Sequence, residues 1–328
     1  MEPVGIGLVG CGSWGKMFAQ ALAETPQARV LAAADEDLAR AEKIAGEFPG
    51  AVALQGHQKL LEMPSVEAVL AVIPTPTHAE VVCQALQAGK HVLVEKPIAV
   101  TLEEAKRMVA AAGEAGRSLM VGQIMRFMPA TQEVRRRVAA GEIGRPLHVI
   151  ERRYGSFRKD AWPDWWVEMD GFLLLHLGSH SVDAILWMLE AGPRWAFAQG
   201  LARKVDSRHG AIDSFALTLG LEEEILAGIH HEATGGAPGL VYSLLVVGDT
   251  GKLELDEFST VRLNGEIVYY QEEAIFPAAL QAELAEFCAS IREGRPPSVS
   301  GEDVLPAVAC LEAARRSLHS GQAEPVES

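Results

Sequence analysis

Residues 10–15 read Gly-Cys-Gly-Ser-Trp-Gly, and no other stretch constrains the fold of this chain as strongly. They follow an apolar run at 4–9 and open a helical pattern at 16–24, and the next apolar run, 29–35, ends in Asp35. Strand, glycine turn, helix, strand and acid in that order form a dinucleotide-binding fingerprint. Each part has a physical task. Gly10 permits a tight turn, Gly12 lets the backbone approach a pyrophosphate, and Gly15 lets the helix pack on the strand. The helix-start N–H groups around Cys11, Ser13 and Trp14 then face the phosphates, with the helix dipole behind them. Asp35 is placed to accept hydrogen bonds from the adenosine ribose hydroxyls and to repel a 2′-phosphate. NAD is therefore expected. Arg40 offsets part of that charge, so NADP stays possible.

The first third continues in the same rhythm. Strand patterns at 29–35, 68–73, 91–95 and 119–122 alternate with helical ones at 37–47, 78–88 and 102–115. That alternation predicts an α/β Rossmann domain with a parallel sheet, whose ligand-binding edge carries Gly10, Asp35, Pro74 and Glu95. From about residue 125 the pattern changes. A helix is expected at 131–140, one long apolar helix at 171–189 and further helices at 277–293 and 301–320. Between them lie strand-like runs at 194–204, 214–221, 225–232, 242–247, 251–255 and 266–270. Turn signals such as Asn264-Gly265 make these an α+β domain with a large, mainly antiparallel open sheet. The tail from 321 to 328 reads as frayed.

A chain of 328 residues exceeds most single cores. The expected domains are 1–123, binding NAD(P), and 124–328, binding substrate and joining subunits. An open sheet face needs cover, so a homodimer or homotetramer through the C-terminal sheet is expected. The formal net charge of −15 argues against nucleic-acid partners, and Arg135-Arg136-Arg137 reads as a solvated helix face. No apolar stretch approaches the roughly 18 residues of a membrane span. The first strand begins too early to leave room for a signal peptide. Cys11, Cys83, Cys288 and Cys310 show no ligand spacing, which suits free thiols in a reducing cytoplasm.

Chemistry is first suggested by Glu95-Lys96-Pro97 at a strand end. An ammonium there can bond a hydroxyl or carbonyl oxygen and stabilise charge during hydride transfer, and Pro97 restrains its backbone. Ala88-Gly89-Lys90-His91 with Glu95-Lys96-Pro97, behind the glycine fingerprint, resembles the glucose–fructose oxidoreductase / inositol dehydrogenase / rhizopine-catabolism family. The resemblance covers nearly the whole chain. Pro74-Thr75-Pro76-Thr77-His78 is similar to that family's loop over the cofactor, and Gly122–127, with Arg126, to its segment beside the site. The resemblance implies NAD(P)-dependent oxidation or reduction of sugars, cyclitols and related molecules. Contacts to cofactor are then implied for Pro74, Thr75, His78, Glu95, Lys96 and Arg126.

The segment from Asp170 to Asp183 resembles the family helix that carries an Asp and a His four residues apart, with a further Asp three residues on. His180 and Asp183 match; His176 stands where the family has its first aspartate. His180 is expected to take the hydroxyl proton as hydride leaves the same carbon. His176 removes a negative charge beside the substrate. That points either to an anionic substrate, such as a sugar acid or nucleotide sugar, or to a weakened reaction. Two histidines at this spacing also form half a zinc site, but no HExxH motif accompanies them and no metal is expected. His230 and His231, adjacent in a strand pattern, point to opposite faces and read as structural.

Trp162, Trp165 and Trp166 cluster with Pro163, Asp164, Arg153, Arg158 and Lys159, and serve either as an aromatic wall against a sugar ring or as loop packing. Trp187 and Trp195 read as core. Substrate contacts are thus expected from Lys96, Arg126, Trp165, Trp166, His176 and His180. Three functions compete: a dehydrogenase or reductase acting on CH–OH groups; a redox-neutral lyase or glycosidase assisted by tightly held NAD; and a non-catalytic dinucleotide or sugar sensor.

Overall fold

Short apolar runs become the parallel strands that begin the chain. They are seen here in a computed structural model that describes residues 2–155, 169–202, 212–233, 240–272 and 275–327. All six residues of β1 (Val4–Val9) are buried. After it come α1 (Ser13–Ala23), β2 (Ala28–Asp35), α2 (Leu38–Ala45), β3 (Val52–Gln55), α3 (Gln58–Leu61), β4 (Ala68–Ala71), α4 (His78–Gln87), β5 (His91–Glu95), α5 (Leu102–Ala115) and β6 (Leu119–Gly122). The strands lie in the order β3-β2-β1-β4-β5-β6, and every neighbouring pair is parallel. Unbroken apolar strands such as β1 are what a sheet covered on both faces needs. The order reverses between β1 and β4, the place where such sheets bind ligands at their carboxyl edge.

The remaining elements are α6 (Pro129–Ala139), β7 (Pro146–Gly155), α7 (Phe172–His176), α8 (Gly178–Leu189), β8 (Pro193–Leu201), β9 (Ser214–Leu221), β10 (Leu226–Glu232), β11 (Leu240–Gly248), β12 (Lys252–Asp256), β13 (Thr260–Leu263), β14 (Glu266–Tyr270), α9 (Ile275–Glu293), α10 (Leu305–Ser320) and β15 (Glu324–Pro325). Among the described residues nine strands form a second sheet in the order β14-β13-β12-β11-β7-β10-β9-β8-β15, with β7–β10 its only parallel pair. Val149, Glu151 and Arg153 of β7 are buried, whereas Ile150 and Arg152 are exposed, the alternation of a sheet covered on one face. His230 is exposed and His231 buried by the same rule.

Two compact units result. One comprises Met1–Phe127 and Phe276–Leu305, the other Met128–Ile275 and Pro306–Ser328. Residues 276–305 therefore leave the second domain of the sequence reading and join the first unit. Their side chains show why: Leu280, Leu284, Phe287 and Cys288 are buried. Arg292 pairs with Glu67 at 2.6 Å and bonds the Glu2 and Pro3 carbonyls at 2.8 Å, and Val121 N–H donates to the Val299 carbonyl. Such partners are remote in sequence and leave no local signature.

The helix expected over 171–189 breaks at Leu177, just before Gly178-Ser179; the Ser179 hydroxyl bonds the His176 carbonyl at 3.2 Å. A Gly–Ser pair is a common site for such an interruption. The tail is not frayed at 324–325: β15 pairs with β8, and the Ser317 hydroxyl donates to the Gln322 carbonyl at 2.6 Å. Trp187 and Trp195 are only half-buried; Arg135 stacks over the Trp187 ring at 4.5 Å. The arginine run is an ion-pair face, with Arg137 held between Glu133 at 2.7 Å and Glu142 at 2.5 Å. Among the described residues no helix is long and apolar enough to cross a membrane.

Candidate active site

The glycine turn is shaped by contacts within the first unit. Gly10 has φ +96°, and a Cβ there would meet the Val72 carbonyl oxygen at 2.1 Å. A Cβ on Gly15 would lie 2.1 Å from the Gly10 carbonyl, so only glycine lets α1 pack this close. Gly12 differs: among the described residues a Cβ built on it meets nothing within 4 Å. It caps α1 without a side-chain hydrogen bond. By contrast α5 carries a full capping box, with Thr101 and Glu104 bonding each other's backbone N–H groups. The open space at Gly12, with the uncapped helix start behind it, fits a pyrophosphate.

Asp35 ends β2 and is fixed by the same turn. Its Oδ2 accepts from Cys11 N–H at 2.7 Å and its Oδ1 from Asp37 N–H at 2.9 Å. Carboxylate oxygens carry further lone pairs, so two ribose hydroxyls can still be bound. Arg40 turns towards Asp37 at 3.3 Å, and both side chains are largely solvated. Cys11 is buried, and burial, then the Asp35 charge, push its thiol up to about 12. Its N–H is already given to Asp35, so Cys11 shapes the turn in place of the phosphate contact expected from sequence. Ser13 is exposed and Trp14 half-buried beside it.

Lys96 follows the last residue of β5, on the same carboxyl edge as Gly10 and Asp35, and is 5% exposed. Glu95 is also buried; its Oε2 accepts from Lys96 N–H at 3.1 Å. Burial pushes the Glu95 carboxyl up to about 7, against the opposing charge of Lys96. Lys90, in the same motif, is structural: its ammonium bonds the Met63 and Val66 carbonyls, each at 2.8 Å. Pro74 is exposed and opens the turn Thr75–Thr77, with Thr75 buried. His78 is wholly buried, and both its nitrogens face backbone carbonyls. That leaves no nitrogen to present to a cofactor, in place of the contact expected from sequence. Arg126 is buried in the turn Ile124–Phe127.

Sequence reasoning missed Glu283 on α9, a fully buried carboxyl in this unit. Neither of its oxygens has a hydrogen-bond partner among the described residues. Burial, then the charge of Glu95, hold its pKa well above the usual carboxylate range. The unfolded chain ionises such a group near the ordinary value of about 4.3. Stability linked to Glu283 is therefore complete below that value and is lost as pH rises towards the raised folded value. Glu283→Gln should flatten the fall in melting temperature between pH 5 and pH 8, as followed by calorimetry. An unchanged slope would show that Glu283 does not hold its proton.

In the second unit His180 and Asp183 are buried on α8, at 9% and 1% exposure. His176, half-buried, ends α7 on the other side of the Leu177 break. The two histidines therefore do not share one regular helix face, as their spacing had implied. Beneath α8 lies a set that sequence had not joined. The Ser181 hydroxyl donates to Glu151 Oε1 at 2.8 Å, and His231 Nε2 lies 3.1 Å from Glu151 Oε2 and 3.0 Å from Ser181 Oγ. Burial pushes the Glu151 carboxyl up, but His231, Arg153 and Ser181 outweigh it and hold it below the usual range. Ser181 is 1% exposed and its proton is committed to Glu151, so the trio fastens α8 to β7 and β10 instead of supplying a nucleophile. The alternation of a strand pattern is the only sequence signal that pointed His231 inward. Trp162, Trp165 and Trp166 lie outside the described residues, as do Arg158 and Lys159. Among the described residues no three His, Cys, Asp or Glu side chains are grouped to hold a metal ion.

Comparison with known proteins matches both halves of the chain. Residues 4–123 match the oxidoreductase family with an NAD-binding Rossmann fold, and residues 131–254 match the GFO/IDH/MocA C-terminal domain. An inositol 2-dehydrogenase of Saccharopolyspora erythraea is 30% identical, over 98% of this chain and 95% of its own. A scyllo-inositol 2-dehydrogenase (NAD(+)) of Bacillus subtilis is 28% identical, over 90% of this chain and 88% of its own. The crystal structure of an oxidoreductase domain protein from Kribbella flavida shares the fold with a TM-score of 0.90, at 22% identity over the full length of both chains.

Proposed function

The chain belongs to the Gfo/Idh/MocA oxidoreductase family, and from that premise we propose an NAD-dependent dehydrogenase of a cyclitol or sugar in which Lys96 and His180 do the chemistry. That it acts on CH–OH groups with a nicotinamide cofactor follows from its relatives, among them dehydrogenases of inositols. Their activity favours net oxidation over the redox-neutral and sensor readings. The observation that supports the residue roles best is Lys96, a buried ammonium at the sheet edge where the glycine turn and Asp35 also lie.

Gly10, Gly12, Gly15 and Asp35 would hold the dinucleotide, with Pro74, Thr75 and Arg126 as further contacts. When bound, the nicotinamide supplies the hydride acceptor. Lys96 donates a hydrogen bond to the reacting oxygen and stabilises the negative charge it gains. His180 takes the hydroxyl proton, and Asp183 orients and charges it favourably. His176, where an acid would repel anions, suits a substrate carrying a carboxylate. Trp165 and Trp166 remain proposed as its aromatic wall.

The test is a panel of myo-inositol, scyllo-inositol, neutral sugars and uronic acids, each with NAD, followed by NADH absorbance. NADH should form with a cyclitol or a sugar. Faster turnover of uronic acids would support the role of His176, and equal or faster turnover of neutral polyols would reject it. Failure of the whole panel would count against the dehydrogenase reading. Cofactor choice can be checked separately: Asp35→Ser should move the NAD-to-NADP preference towards NADP by more than about tenfold in kcat/KM. An unchanged ratio would remove Asp35 from cofactor selection.

A homodimer or homotetramer through the open face of the second sheet fits its exposed Ile150, Leu226 and Val241, which are 43%, 39% and 40% accessible. A monodisperse monomer in light scattering would reject it. The four free cysteines suit a reducing, cytoplasmic setting.

A further inference from the structure

One buried imidazole reaches the backbone on both sides of the proposed catalytic edge. His78 is the first residue of α4 and is 0% exposed. Its Nδ1 lies 3.0 Å from the Pro97 carbonyl oxygen and 3.2 Å from that of Ile98. Its Nε2 lies 2.9 Å from the carbonyl of Ile73, where the chain leaves β4 for the turn Thr75–Thr77. Pro97 and Ile98 directly follow Lys96, and both are buried.

The partners limit what the ring can be. All three are carbonyl oxygens, which only accept, and a neutral imidazole has one N–H to give. Donation on both sides needs the imidazolium. Burial opposes that, and so does the nearby charge of Lys96; together they hold the pKa of His78 below its ordinary value. The ring is neutral at neutral pH and must choose a side. Two acceptors stand at Nδ1 against one at Nε2, which favours the Nδ1–H tautomer.

We propose that His78 is a positioning residue for Lys96, its Nδ1–H holding the Pro97–Ile98 backbone that aims the ammonium. The proposal rests on the role given to Lys96 above. Without the ring, two enclosed carbonyls lose their donor, and the backbone beside Lys96 must shift to find another. A displacement of about 1 Å at a catalytic group can cost about a hundredfold in rate. The ring makes no contact with substrate in this scheme.

The wild-type protein supplies the first test. Nitrogen NMR of the labelled histidine rings should show His78 protonated at Nδ1; a ring protonated only at Nε2 would overturn the proposal. The second uses protein with 13C-labelled lysine, in which the signal missing from Lys96→Met identifies Lys96. His78→Ala should move or broaden that signal and leave Lys90 alone. His78→Asn, which presents an amide N–H where Nδ1 stands, should restore it; His78→Gln, which presents one where Nε2 stands, should not. With NAD and myo-inositol, His78→Ala should lower kcat at least about tenfold while KM for NAD stays within about twofold, and His78→Asn should recover most of the loss. A Lys96 signal unmoved by His78→Ala, or Asn and Gln variants that behave alike, would overturn the proposal. Turnover persisting in Lys96→Met would overturn the catalytic reading of Lys96 instead, and the resonance comparison would still decide for or against the placement by His78.

Discussion

Replacing Lys96 with methionine should lower kcat by about a hundred- to a thousandfold while NAD binds within a few-fold of wild type. The methionine side chain has nearly the length of lysine but offers no proton and no charge. Lys96 is 5% exposed, so water cannot freely take over the lost hydrogen bond. Most of the dinucleotide contacts proposed above, those of the glycine turn, Asp35, Pro74, Thr75 and Arg126, are left intact by the substitution. The loss should therefore appear in the chemical step. Titration of NAD by protein fluorescence, beside steady-state rates, separates the two effects. A variant that loses both NAD and turnover would place Lys96 in cofactor binding alone, and one that keeps its turnover would remove it from the mechanism.

Gly12→Ala should fold as wild type does and lose NAD affinity by a factor of about a hundred. The open surroundings of Gly12 make this a clean test: its φ is −72°, a value alanine adopts freely, and among the described residues a Cβ there meets nothing within 4 Å. The methyl group would strike whatever binds in that space. Loss of about 3 kcal/mol would be ordinary for a backbone forced away from a bound phosphate. Gly10→Ala makes the contrast. Its φ of +96° and a Cβ 2.1 Å from the Val72 oxygen should destabilise the fold itself, by roughly 1–3 kcal/mol from the backbone and more from the overlap. Calorimetry and NAD titration on both variants check this. Normal NAD affinity in Gly12→Ala would show that the open space is not where the pyrophosphate lies.

The first unit was legible because its signals are local. Apolar runs mark five of the six parallel strands, and Asp35 meets the turn through Cys11 as the fingerprint implies; the short, half-exposed edge strand β3 was not anticipated. The second sheet was read as mainly antiparallel, but β7 escaped notice. Its Glu151, Arg152 and Arg153 disguise it as a polar segment; only in three dimensions do Ser181 and His231 satisfy the buried Glu151. Periodicity also carried a helix through Gly178-Ser179, although that pair interrupts it. Residues 276–305 show a third limit, since helical pattern says which face is apolar but not which domain covers it. The site shows a fourth. His78 stands in a loop motif and looks like a ligand to the cofactor, yet its nitrogens serve the backbone. Glu283 had no motif at all; its interest comes from being enclosed without a hydrogen-bond partner among the described residues.

The central claim is that this chain moves hydride from a secondary alcohol to NAD. The carbon-deuterated form of whichever panel substrate turns over fastest tests it most directly. Incubated with the protein and NAD, and analysed by mass spectrometry, it should deliver its deuterium to the reduced cofactor, one label per ketone formed. The same label found in solvent water, or retained in a converted product with no reduced cofactor accumulating, would contradict the account.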